Sequence, residues 1–441
     1  EPEGSYREIF QNISKEISFK KLHRYTPKQI IKLNHSGMPD GERECSICHR
    51  HDCLKDGETE CEICWTLKQM SRNILDGDFF TVTSKKEKVC LPLPGNCYLV
   101  TDTEDSLLKR MKEDNYYIRS YSKNKPYSGY YVYTKLWVGD YVEGKTFEEL
   151  GQRATGIERI AVMRADVDNL GQAFVRGFEN EKNGSKYVTL SRTATFSRKL
   201  SMFFKYHINS LLKEGGYSIL EEEAQMERED DRRNALIVYS GGDDIFIVGA
   251  WDDIIGFAVD LHDNLMEYSQ DTLKISAGIG IYPSKYPISI MARETGRLEE
   301  SAKSMEGKNA VALFNEKYTF PWEEFIENVV EEKLYFIQKY FKIVDEKGKN
   351  FLYNLLELVR KRKEDKINIA RFAYLLGRME PKVQRGEKKE EIEEKRSLHR
   401  EFSRKMYEWI RVEKEAKELE MAIYLYVYTK REKEEHDGVN E

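Results

Sequence analysis

The sequence offers no apolar run long enough to span a bilayer and no secretory leader, which argues for a cytoplasmic protein whose thiols stay reduced. It also has little net charge: 71 Lys and Arg against 77 Asp and Glu leave −6 over 441 residues. A surface that binds polyanions everywhere is thereby excluded, and any RNA contact must use local basic patches. One such patch is Lys15, Lys20, Lys21, His23 and Arg24 interleaved with Phe19 and Tyr25, a pattern that a solvated amphipathic face would equally produce. Glutamine is scarce, whereas Lys, Glu and Arg carry most of a 34% charged fraction that exceeds the usual level of about a quarter. Ion-pair-rich surfaces of that kind are expected of thermophiles. The length predicts roughly two to four domains, each able to bury a core.

Against that background one segment stands out. Leu236 to Gly249 reads LIVYSGGDDIFIVG, two β-rich apolar runs joined by Ser240-Gly241-Gly242-Asp243-Asp244. The glycines supply the backbone freedom of a tight turn, so two adjacent carboxylates stand at the tip of a hairpin. Asp is disfavoured in strands and neighbouring carboxylates repel, which points to a compensating divalent cation; an Asp-rich solvated turn is the alternative.

The surrounding pattern favours the cation. Upstream, Ile157 to Ala165 reads as a strand running into Asp166-Val167-Asp168-Asn169-Leu170-Gly171. A helix is expected from about Leu190 to Lys213, with Phe196, Leu200, Phe203, His207 and Leu211 at helical spacing, a second from about Trp251 to Tyr268, and a strand over Lys274 to Tyr282. The order β-α-β-β-α-β is the split βαβ pattern of ferredoxin-like folds, in which the first strand lies antiparallel to the third. Asp166 is then expected to face Asp243, and three carboxylates at one sheet edge suit two Mg²⁺ or Mn²⁺ ions that activate a 3′-hydroxyl and bridge a triphosphate. Asp168 fits a structural turn role instead. At and just past the end of a helical segment over Ile288 to Met305, Lys303 and the Gly307-Lys308 pair could neutralise triphosphate oxygens, although lysine is also favoured at a solvated helix end.

A second local signal is independent of the first. Cys45-Ser-Ile-Cys48 and Cys61-Glu-Ile-Cys64 bring four thiolates within reach of one tetrahedral Zn²⁺, a closed structural site with no open position for catalysis. His49, His51 and Cys53 lie between the pairs and could substitute as ligands. Cys90 and Cys97, seven apart, read as small apolar residues.

The succession AVMRADVDNLG, SRKLSMFF, VYSGGDDIFIVG, SAGIGIY and AKSMEGKNAVALF resembles the large, polymerase-like subunit of type III CRISPR effector complexes, the III-A (Csm) branch above all, from Ser14 to about Glu420. GGDEF diguanylate cyclases share the palm and the hairpin, but carry Glu where Asp244 stands and Arg where Lys308 stands. The resemblance implies a nucleotidyltransferase that joins ATP 3′ to 5′ and closes it into cyclic oligoadenylate when the complex binds target RNA. It implies metal ligation by Asp166 and Asp243 with Asp244 assisting, and nucleotide contacts from Ser201, Gly241, Gly242, Lys303 and Lys308. Its implied partners are crRNA, target RNA, the subunit that caps the crRNA 5′ tag and a small helical subunit. A catalytically silent nucleotide- or RNA-binding scaffold and a diguanylate cyclase are the competing readings. Members of the family usually carry an HD nuclease domain, and none of the pairs His51-Asp52, His262-Asp263 and His436-Asp437 has that setting, so the chain is expected to be a fragment without it.

The expected fold class is α+β: a ferredoxin-like polymerase or cyclase palm with a zinc module, a β-rich linker and a C-terminal helical bundle. Residues 1–40 resemble the end of a first, non-catalytic palm; 41–70 form the zinc module, 71–150 the linker, 151–315 the GGDD palm and 316–430 the helical domain. Val329, Leu334, Ile337 and Phe341 mark the bundle's apolar face, Arg385 to Arg396 a solvated helix or loop, and 431–441 a disordered tail.

Overall fold

The computed structural model describes residues 6–35, 44–51, 54, 57–113, 115–125, 134–144, 146–179, 182, 184, 186–221, 225–226, 231–344, 350–362, 365–381 and 389–431. Cys53, Asp52, His436-Asp437 and the tail from 432 onward lie outside them, as do residues 385–388. The chain divides into two compact units, Glu1–Val138 with Gln172–Arg198, and Gly139–Gly171 with Lys199–Glu441.

In the first unit, helices Tyr6–Leu22 and Pro27–His35 precede the cysteine pairs, and the second pair opens the helix Glu62–Asp76. Five strands follow: β1 (Phe79–Thr83), β2 (Leu91–Leu93), β3 (Cys97–Asp102), β4 (Tyr117–Lys123) and β5 (Thr134–Leu136). They pair in the order β2-β3-β1-β4-β5, antiparallel except for β4 with β5. Lys123, 5% exposed, donates from Nζ to the carbonyls of Ile74 and Leu75 at 2.6 and 3.1 Å. A lysine thus caps the end of the cysteine helix, where the helix dipole favours a cation, and ties it to β4.

The second unit is built on a six-stranded sheet of β6 (Ile160–Val167), β7 (Ala235–Ser240), β8 (Asp244–Ala250), β9 (Ile275–Tyr282), β10 (Ala310–Leu313) and β11 (Thr319–Pro321). Its order is β11-β10-β9-β6-β8-β7, so the first strand of the unit is flanked by the third and fourth, antiparallel to both. β9 reads ISAGIGIY and is buried on both faces, as a central strand must be. Alternation along β6 puts Ile160, Val162, Arg164 and Asp166 on one face. Ile160 and Val162 join Leu150, Val248, Tyr282 and Met291 in one apolar cluster, which leaves the polar pair at the open end of the strand.

Three local departures from the sequence expectation have physical causes. β6 starts at Ile160 rather than Ile157 and runs through Asp166, because the Ile157 N–H donates to the Tyr428 carbonyl at 3.0 Å and the C-terminal helix holds this segment out of the sheet. Gly156 makes that approach possible: its φ is +74°, and a Cβ there would lie 2.1 Å from the Tyr428 oxygen. The helix expected over Leu190 to Lys213 is a helix Leu190–Met202, a π-helical turn Phe203–His207 and a helix Ile208–Glu214. AVAL at 310–313 and TFP at 319–321 are strands, where a helical region was expected from Phe320.

Beyond the sheet, helical segments Glu324–Leu334, Tyr335–Ile343, Asn350–Lys361, Ile367–Gly377, Lys389–Arg411 and Glu413–Lys430 pack together, with Val329, Leu334, Ile337 and Phe341 all buried. Inside them Lys333, 1% exposed, holds Glu418, 2% exposed by side chain, at 2.8 Å. Lys333 also holds the more exposed Glu332 at 2.9 Å, so Glu418→Leu leaves the buried ammonium one partner and is expected to cost about 1–3 kcal/mol of stability. Adding Lys333→Met should restore most of it, and urea melts of both variants check this.

Candidate functional site

Strand pairing assembles the acids. Asp166 lies directly opposite Asp244 in the β6–β8 register and opposite Ser276 in the β6–β9 register. The expected partner, Asp243, is one residue further on: its carbonyl accepts from the Val167 N–H at 3.1 Å. The hairpin is closed by the Gly241 N–H donating to the Asp244 carbonyl at 2.8 Å, so β8 begins at Asp244 and Asp243 stays in the turn. Burial pushes the Asp243 carboxyl above the usual aspartate range, and the negative charges of Asp166 and Asp244 push it further. Gathered at one sheet edge, Asp166, Asp243 and Asp244 are hard oxygen donors of the kind a divalent cation takes.

The glycines of the turn differ. A Cβ on Gly241 would lie 2.3 Å from Asp244 Oδ1 and 2.5 Å from the Tyr239 hydroxyl, so a side chain there would displace an acid. At Gly242 a Cβ would meet only Ser201 Oγ, at 3.6 Å, leaving open space in front of the backbone. Ser201 reaches this place because the Phe204 carbonyl, in the π turn, accepts from Ser240 Oγ and ties the helix to the hairpin.

Cations complete the edge. Lys303 donates to Asp166 Oδ2 and, at 2.7 Å, to Glu299 Oε1 one helical turn earlier. Although burial opposes its charge, these carboxylates hold the ammonium above the ordinary lysine range. Glu299 also faces Arg164 Nε at 3.2 Å. Lys308 donates to Asn169 Oδ1 at 2.8 Å. Asp168 is 6% exposed and accepts from Ser276 Oγ at 2.9 Å and the Asn309 N–H at 3.0 Å, the role of a turn anchor. Arg164, Asp166, Tyr239, Asp244, Glu299 and Lys303 line a cavity of about 430 Å³.

Arg164, Tyr239 and Glu299 are the residues that sequence reasoning overlooks. Arg164 precedes Asp166 by two in a strand and Glu299 precedes Lys303 by four in a helix, so both spacings were available as same-face signals. Tyr239 is signalled only by the hairpin: Asp244 raises its phenol above the ordinary range by charge, burial and a hydrogen bond.

In the first unit the sulfurs of Cys45, Cys48, Cys61 and Cys64 all lie within 4.8 Å of one another, the only such group of metal-ligating side chains among the described residues. Tetrahedral zinc thiolates stand about 3.8 Å apart, given a Zn–S bond of about 2.3 Å. The Cys61 N–H points at Cys45 Sγ at 3.3 Å and the Cys64 N–H at Cys61 Sγ at 3.4 Å, the backbone arrangement that stabilises thiolates. Backbone hydrogen bonds at Cys48 and Cys61 pull the Cys45 thiol down to about 6, while proton sharing with Cys48 and burial push Cys64 up to about 12. His49 Nδ1 faces Glu44 at 3.1 Å, so that nitrogen is directed to a carboxylate. Cys90 donates to the Glu87 carbonyl at 3.0 Å and Cys97 to Gly95 at 3.5 Å, both apart from the cluster. His262 is buried and stacks on Trp322, with Nδ1 at 2.7 Å from Asp263. No helix among the described residues is long and apolar enough to cross a membrane.

Residues 159–312 match the family model of the Cas10/Cmr2 second palm domain, and residues 338–432 that of the second helical domain of the Cmr2 subunit of the CRISPR RNA silencing complex. A single-strand-specific deoxyribonuclease Cas10/Csm1 of a subtype III-A CRISPR system, from Mycobacterium tuberculosis, is 41% identical over 438 residues, covering 97% of this chain and 52% of that protein. The Csm1–Csm4 subcomplex of a type III-A interference complex has the same fold, with a TM-score of 0.57 and 24% identity over 86% of this chain and 51% of that one. A Csm1–Csm4 cassette in complex with cA4 gives 0.54 and 22% over 80% and 49%. The chain spans about half the length of the relatives it matches. With identity spread over almost all of its residues and both domain models matched, the chain belongs to the Cas10/Csm1 family of type III-A CRISPR systems.

Proposed function

We propose that the second unit is a ferredoxin-like palm that converts ATP into cyclic oligoadenylate by 3′–5′ nucleotidyl transfer, in a complex that responds to target RNA. The observation that carries this reading is the register of Asp166 opposite Asp244, with Asp243 beside them and Lys303 on Asp166. Two Mg²⁺ or Mn²⁺ ions held there would supply Lewis acidity to an attacking 3′-hydroxyl and neutralise charge on a triphosphate. Asp166 and Asp243 would hold them, with Asp244 assisting. Lys303 and Lys308 neutralise phosphate oxygens, Gly242 leaves room for a phosphate against the backbone, and Ser201 offers a hydroxyl across that gap. The four-cysteine cluster suits a closed structural zinc that orders its module without taking part in the chemistry. In this reading the chain pairs with a Csm4-type subunit, as the Csm1 proteins of like fold do, and with a small helical subunit, crRNA and target RNA.

The assembled complex, given Mn²⁺ and each nucleoside triphosphate separately, should yield cyclic oligoadenylate from ATP by mass analysis and nothing from GTP. A cyclic dinucleotide from GTP would favour the cyclase reading, and no product from any triphosphate would favour a scaffold. The 441-residue chain by itself should not cleave single-stranded DNA with Mn²⁺ or Ni²⁺; DNase activity abolished by His51→Ala would show that the cysteine loop does chemistry.

A further inference from the structure

One ammonium in the candidate site is shared between two carboxylates of different standing. Lys303 Nζ donates to Asp166 Oδ2, a proposed metal ligand, and to Glu299 Oε1 at 2.7 Å, which lies on the helix and outside the GGDD edge. Glu299 is 8% exposed, and a buried carboxylate needs partners; its second oxygen has Arg164 Nε at 3.2 Å. Arg164 stands two residues before Asp166 on the same strand face, so the strand supplies both ends of the chain Arg164–Glu299–Lys303–Asp166. An ammonium seated on Asp166 Oδ2 uses the lone pairs that a divalent ion needs, and the flexible lysine stem lets it leave without a backbone change.

We propose that Lys303 is an internal cation that competes with the divalent ion for Asp166, and that Glu299, braced by Arg164, is the positioning residue that retains Lys303 at the site once the ion has displaced it. This inference rests on the two-metal reading. It gives Glu299 a purpose that its place off the acidic edge otherwise lacks: a lysine released from Asp166 stays within reach of a triphosphate and does not swing into solvent.

The test is Mn²⁺ affinity of the 441-residue chain without nucleotide, read from the loss of the free-ion electron paramagnetic resonance signal, with circular dichroism confirming that each variant folds. Lys303→Met should bind Mn²⁺ about 10-fold tighter because the competitor is gone, and Lys303→Arg should stay near wild type. Lys308→Met, which removes an equal charge nearby, should change affinity by less than about 2-fold. Glu299→Gln should weaken binding several-fold in the wild-type background and by less than about 2-fold in Lys303→Met, since its effect passes through Lys303. Affinity in Lys303→Met equal to or below wild type overturns the proposal, as does a Glu299→Gln loss of the same size in both backgrounds. Absence of Mn²⁺ binding to the wild type would overturn the metal reading together with this one, whereas a bound ion indifferent to Lys303 would overturn this one alone.

Discussion

Replacing Asp243 and Asp244 together by Ala should lower ATP turnover at least about 10³-fold, a barrier increase of about 4 kcal/mol, while the fold survives. Both acids sit on a turn closed by the Gly241 N–H donating to the Asp244 carbonyl and tied to β6 by the Val167 N–H donating to the Asp243 carbonyl, backbone bonds that a side-chain truncation does not remove. The apolar residues of β7 and β8 are untouched. What disappears is the donor set that would neutralise the attacking oxygen and the leaving pyrophosphate, interactions made most strongly in the transition state. Thermal stability should be unchanged or higher. The Asp243 carboxyl is held above its ordinary range in the folded protein, so it is a burden that appears as pH rises from the ordinary aspartate range through that raised value and is absent below it. The gain in Tm should accordingly be larger at neutral pH than near pH 4. Asp166→Ala should match the loss of turnover but lower the Tm, because it takes a partner from Lys303. Turnover at the wild-type rate in the double variant would leave the scaffold reading ahead.

Removing the metal from the cysteine cluster is the second large effect. Structural zinc supplies an apparent 10–16 kcal/mol in small zinc modules, roughly the whole stability of a segment this size. Purified protein should carry about one zinc per chain, and Cys45→Ala should lose it and expose residues 44–64 to protease. The helix Glu62–Asp76 should keep its far end, where Lys123 caps the Ile74 and Leu75 carbonyls from β4. Palm turnover should fall only indirectly. Stoichiometric zinc retained after Cys45→Ala with Cys61→Ala would show that the thiols are not the ligands.

The sheet that carries the acids is legible in the sequence because its signals are local and long. LIVYSGGDDIFIVG states two strands and a turn, and Trp251 to Ser269 has a helical period over nineteen residues. The register between β6 and β8 is not legible to the residue, since it is set by pairing between strands about 80 positions apart in the chain, and it places Asp244 rather than Asp243 across from Asp166. The strand AVAL was hidden because a four-residue apolar run has no period of its own and gains its identity only by lying parallel to β9. The start of β6 at Ile160 depends on Tyr428, some 270 positions away in the chain, which no window reaches. Of the acids and lysines, those beside glycine announce themselves; Arg164 and Glu299 are ordinary charges until folding brings strand and helix together.

The most direct test of the account is an anomalous difference map from crystals of this chain grown with Mn²⁺ and a non-hydrolysable ATP analogue. Two peaks about 3.5–4 Å apart, within coordination distance of the Asp166 and Asp243 carboxylates and of the analogue's phosphates, are the predicted result. Nucleotide bound with no manganese at these acids, or manganese placed elsewhere, would contradict it.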